Sequence, residues 1–108
     1  MNKFEATVIF NPDLTNKSLN SEIESFKSQI AKIEGNIIHE EDWGLRDLSY
    51  KISSFKKAFY KFYQIEMDSK KISNIQKNLN QNEKILRHLF VKVDDHQELP
   101  TKMKNEEK

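Results

Sequence analysis

Twice along this chain the spacing of apolar residues changes from two to between three and four and back again, and few folds satisfy that order. Residues 4 to 10 alternate, with Phe4, Ala6, Val8 and Phe10 on one side, as a strand with one buried face requires. Asn11-Pro12-Asp13 ends the run, because proline cannot continue a central ladder and Asn and Asp favour turns. From about Thr15 to Glu34 the apolar residues Leu19, Ile23, Phe26, Ile30 and Ile33 step by four, three, four and three, one stripe of a helix. Gly35 is expected to close that helix as its C-terminal cap residue. A long extended segment follows from Asn36 to about Ile52, then a connection over 53–57, then a third strand from Ala58 to Met67. Asp68 or Ser69 suits the N-cap of a second helix reaching about Asn80, with Ile72, Ile75 and Leu79 as its stripe. Ile85 to Val93 reads as the last strand.

The order β-α-β-β-α-β predicts an α+β, ferredoxin-like split βαβ fold: a four-stranded antiparallel sheet with two helices on one face. A chain of 108 residues supplies one such domain, expected over 1–93, with 94–108 as a polar, mobile tail. The third strand carries aromatics on both sides, with Phe59, Tyr63, Ile65 and Met67 on one and Ala58, Tyr60 and Phe62 on the other. A solvated face does not need aromatics. Either the sheet is covered twice, or its open face meets a partner.

Charge narrows the function. Eighteen Lys and Arg against seventeen Asp and Glu leave +1, whereas a protein that gripped nucleic acid alone through phosphate contacts would carry a clear basic excess. The excess that exists is local: residues 58–93 hold seven basic and three acidic side chains, and the tail holds three and five. Shared binding, with a partner bringing most of the cationic charge, fits that balance. The absence of cysteine removes disulfides, thiolate nucleophiles and Cys-based zinc sites, and with no apolar run near ~18 residues and no signal-peptide layout a cytoplasmic address is expected.

The segment Trp43-Gly44-Leu45-Arg46-Asp47-Leu48-Ser49-Tyr50-Lys51-Ile52-Ser53 is the most specific in the chain. Past the glycine it alternates, with Arg46, Leu48, Tyr50 and Ile52 opposed to Leu45, Asp47, Ser49 and Lys51, and Gly44 signals a bulge, a bend or a close backbone approach. Gly44, Arg46, Asp47, Leu48, Ser49, Tyr50, Ile52 and Ser53 resemble, without a gap, the signature of the bacterial-type small ribosomal subunit protein six family. Phe4-Glu5, Asn11-Pro12, Asp42-Trp43 and Ile85-Leu86-Arg87 are similar to family features outside it, although the family more often has tyrosine at the place of Phe4. The resemblance spans roughly residues 3 to 93. It implies a non-enzymatic constituent of the small ribosomal subunit, paired with the strongly basic small-subunit protein eighteen on the central domain of the small-subunit ribosomal RNA.

On that reading Glu40, Glu41 and Asp42 beside Trp43 form an acidic patch next to an exposed aromatic, joined by Tyr60 and Phe62, that docks the basic partner. The alternative is a solvated charge run. Candidate RNA contacts are Lys3, Arg46, Arg87 and Lys92. Pairing of the first and last strands is expected to bring Lys3, Arg87 and Lys92 into one strip. The chain has only two arginines, suited to forked recognition of phosphate or carboxylate, and Arg46 could equally hold a structural salt bridge. Catalysis has little support: two glycines make neither a dinucleotide loop nor a Walker loop, and His39 with Glu41 is an incomplete metal site, so no cofactor or metal is expected. His88, between apolar neighbours, reads as a core or interface histidine. The rival reading is an RRM-type module that stacks single-stranded bases. Lys57-Ala58-Phe59-Tyr60-Lys61-Phe62 echoes its basic-then-aromatic rhythm but lacks its glycine. A ligand-sensing regulator of the same fold would want more glycines.

Overall fold

In the computed structural model, which describes residues 2–52 and 55–95, strand β1 runs Asn2–Phe10, helix α1 Asn16–Lys32, β2 Asn36–Ile52, β3 Phe55–Met67, α2 Ile72–Asn80 and β4 Ile85–Val93. The strands form one antiparallel sheet in the order β2-β3-β1-β4, the expected split βαβ arrangement. β3 begins at Phe55 rather than Ala58, because Phe55 already pairs with Ile52, so residues 53 and 54 alone connect β2 to β3 and lie outside the described residues. The tail expected beyond Val93 lies outside them from residue 96 onward.

One face of the sheet is built by alternation. Phe4, Ala6, Val8 and Phe10 of β1 lie beside Ile65, Tyr63, Lys61 and Phe59 of β3. All four β1 residues, with Tyr63, Ile65 and Met67, are buried against Phe26 and Ile30 of α1 and Ile75 and Leu79 of α2. Both helices therefore cover this face. Phe26 and Ile30 are each 1% exposed, and such burial contributes about 1.5–3 kcal/mol per side chain.

The ends of α1 follow local chemistry. The Thr15 hydroxyl accepts the Ser18 N–H at 3.1 Å, an N-cap. At the other end Glu34 N–H donates to the Ala31 carbonyl (3.0 Å) and Gly35 N–H to the Ile30 carbonyl (2.9 Å), the paired bonds of a Schellman turn. The left-handed residue of that turn is Glu34, at φ 63°, and not Gly35 as expected. Gly35 is required for space: a Cβ there would sit 2.9 Å from Ile30 Cγ2 and 3.1 Å from Met67 Cβ. Before α2, Ser69–Lys71 form a 3-10 turn capped by Asp68, whose side chain accepts the Lys70 N–H, so the α-helix starts three residues later than expected.

Candidate protein and nucleic-acid interfaces

The specific segment of β2 is organised by a bulge. The register with β3 shifts between Asp42 and Gly44, inserting Trp43 as the extra residue. Gly44 takes φ 74°, a conformation that disfavours any side chain, and its N–H donates to Asp42 Oδ1 at 2.8 Å. The bulge lays the Trp43 ring over the face away from the helices, parallel to Phe62 (centroids 5.2 Å, 9°) and stacked with Tyr60 (6.3 Å). Its Nε1–H donates to Glu41 Oε1 at 2.9 Å. The Arg46 guanidinium lies 5.6 Å from the ring centroid while its Nε–H donates to the Trp43 carbonyl at 3.1 Å. Trp, Gly and Arg at these offsets thus form one local device: the glycine makes the bend, and the arginine closes over the ring that the bend folds down.

This geometry overturns the acidic patch. Trp43 is 6% exposed and Phe62 4%, so neither ring presents itself to a partner, and Glu41 is 6% exposed beneath them. Glu40 points to the helix face, as neighbours on a strand must, and binds Lys27 Nζ of α1 at 2.8 Å and Lys61 Nζ at 3.1 Å. Burial works to raise the Glu40 pKa, but the hydrogen bonds and charges of Lys27 and Lys61 outweigh it and leave it below the ordinary carboxylate value. Of the three acids only Asp42 is exposed. The open face of β3 is covered after all, by β2's own Trp43. The same stacking occupies the rings on which an RRM-type module would place bases, leaving Tyr60 half-buried at the margin.

The cationic strip also separates. Lys3 and Arg87 share the open face, opposite Val93 and Ile9 respectively, but they stand six residues apart along the β1–β4 ladder, roughly 20 Å. Lys92, opposite Phe4, belongs to the helix face. Lys3 binds Asp95 at 3.4 Å. Arg87 is exposed, and the row through it runs Arg87, Ile9, Tyr60, Gly44, with Arg46 beside Ala58 just beyond. The two arginines therefore share a face and an end of the sheet, roughly 15 Å apart across three strand spacings. His88 faces the helices, with Nε2 2.9 Å from Asn80 Oδ1 and its ring edge-on to Phe90; burial lowers its pKa.

What sequence reasoning missed is the edge of the sheet. β2 is an edge strand carrying Ile38 at 41% and Leu45 at 49% exposure, with Asp42 and Asp47 exposed along it. The signal was the adjacent pair Ile37-Ile38, which cannot both face the core of a regular strand. Among the described residues no group of three or more His, Asp or Glu is placed to hold a metal, and no helix is long and apolar enough to cross a membrane.

A family model for ribosomal protein S6 matches residues 3–92. The small ribosomal subunit protein bS6 of Azobacteroides pseudotrichonymphae is 37% identical over 89 residues, covering 82% of this chain and 80% of that protein. Its counterpart in Bacteroides thetaiotaomicron is 30% identical over 96 residues, covering 89% and 84%. The crystal structure of 30S ribosomal protein S6 from Thermotoga maritima superimposes with a TM-score of 0.81 at 19% identity, over 85% of this chain and 87% of that one, a likeness of fold.

Proposed function

The chain belongs to the ribosomal protein S6 family and is a structural, non-enzymatic component of the small ribosomal subunit; from that premise we propose that it binds the subunit's RNA jointly with the basic small-subunit protein eighteen. The observation that carries the reading is the β2 edge: apolar Ile38 and Leu45 alternating with exposed Asp42 and Asp47 on a strand whose outer ladder no described element pairs with. An apolar, acidic edge suits a cationic partner, with the apolar contacts supplying affinity and the charges orientation. Arg87, with Arg46 across the same face, is the site of phosphate contact in this reading. Lys3 and Lys92, on separate surfaces, contribute single contacts at most. The net charge of +1 supports joint binding, since the chain alone brings little counterion release to an RNA complex.

Leu45→Asp tests the docking edge. Leu45 is half exposed, so the fold should lose less than about 1 kcal/mol. The heterodimer with small-subunit protein eighteen should weaken by roughly tenfold or more by titration calorimetry. An unchanged dissociation constant would remove β2 from the interface.

A further inference from the structure

The opposite edge of the sheet carries a second surface. β4 ends the strand order and, among the described residues, pairs only with β1, leaving its outer ladder open. On the face away from the helices it presents Arg87, Leu89, Val91 and Val93, and Leu89 (61%) and Val91 (46%) are among the most exposed large apolar residues described. Asp95 lies in a bend just past the strand end, where Lys3 holds its carboxylate on this side of the sheet with the side chain 90% exposed. A long apolar edge without a covering element is a template for pairing with another strand. Charge at its two ends decides which strand fits: the edge is basic at Arg87 and acidic at Asp94 and Asp95.

We propose that the free chain self-associates through antiparallel pairing of β4 with β4 of a second copy, about a two-fold axis at Val91. In that register Val91 meets Val91, Leu89 meets Val93, and Arg87 lies directly opposite Asp95 of the second copy, all on the open face. On the helix face His88 lies opposite Asp94, and Phe90 opposite Lys92, whose stem can lie along the ring. Apart from His88 with Asp94, every cross-strand pair is apolar with apolar, cation with anion, or cation with ring, and each occurs twice by symmetry except Val91 with Val91 on the axis. Slipping the register by one residue would set the apolar row of one copy against the helix-side residues of the other. The pairing extends the sheet to eight strands and leaves the β2 edge untouched, but it engages Arg87, so a chain paired in this way would not present that side chain to RNA.

Two nine-residue edges bury less than the ~1,600 Å² of a standard interface, so the pair should be weak. Sedimentation equilibrium of the full chain, from about 5 µM to about 1 mM, should show the mass rising from 12.8 kDa toward twice that value. Val91→Lys, which sets two like charges face to face on the axis, should hold the mass at the monomer value, with circular dichroism confirming the fold. Arg87→Glu and Asp95→Arg should each weaken association, and the double variant should restore it. A monomer mass throughout, undiminished association of Val91→Lys, or a double variant no better than either single one would overturn the proposal; so would association of this edge only with a different chain.

Discussion

Gly35 and Glu34 divide between them two tasks that a sequence reader assigns to one glycine. The rule that a helix ends on glycine rests on the left-handed conformation, which costs a side chain about 1 kcal/mol. Here Glu34 accepts that conformation, at φ 63°, while Gly35 keeps the backbone close to Ile30 and Met67. Glu34→Gly is therefore expected to raise stability by up to about 1 kcal/mol, the relief of strain being partly offset by the freer unfolded chain. Gly35→Ala should lower it by about 1–3 kcal/mol through overpacking. Denaturant titration of both variants checks the assignment; the reverse ranking would refute it. Glycine was visible in the sequence at both bends, but only the packing of Ile30 and Met67 decides which constraint each one answers. At Gly44, where a bulge, a bend or a close backbone approach was expected, the register shift makes it a bulge.

At the scale of elements, periods of two and of three to four located all four strands and both helices. What periodicity could not carry was side-chain direction through β2. Its register shifts at Ile37/His39 and again at Asp42/Gly44, and each shift inverts the parity used to assign faces. Glu40, Glu41 and Asp42 lie between the two shifts and simply alternate, so reading them as one patch overlooked the strand's own period of two. The span of β4 was read correctly, but Arg87 and Lys92 were grouped although they face opposite sides of it; His88 is half-buried on the helix face. That histidine also gives its element a pH dependence. Burial lowers its pKa below the ordinary value near 6.5, so the native state resists protonation that the unfolded chain accepts. Between the two values the unfolded chain binds the extra proton, so stability is full above about pH 6.5 and falls as pH drops below it. His88→Gln, which keeps a partner for Asn80, should flatten the change in melting temperature between about pH 7 and 5. An unchanged slope would mean that another group sets it.

For the whole molecule the decisive quantity is charge. The helices cover one side, Trp43 closes the aromatic floor of the other, and the surplus is one positive charge. The two edges of the sheet are the surfaces left to do work, and the β2 edge is the one matched to a cationic protein. Fold and family were legible in the sequence because both reside in spacing. The proposed docking surface was not, because it depends on which strand is left at the edge and which apolar residues its bulges turn outward. The most direct test is to titrate the small-subunit RNA junction with this chain alone and with small-subunit protein eighteen present, at fixed salt. The account predicts weak binding alone and at least about a hundredfold tighter binding of the pair. Tight, sequence-specific binding by the isolated chain, unchanged by the partner, would contradict it.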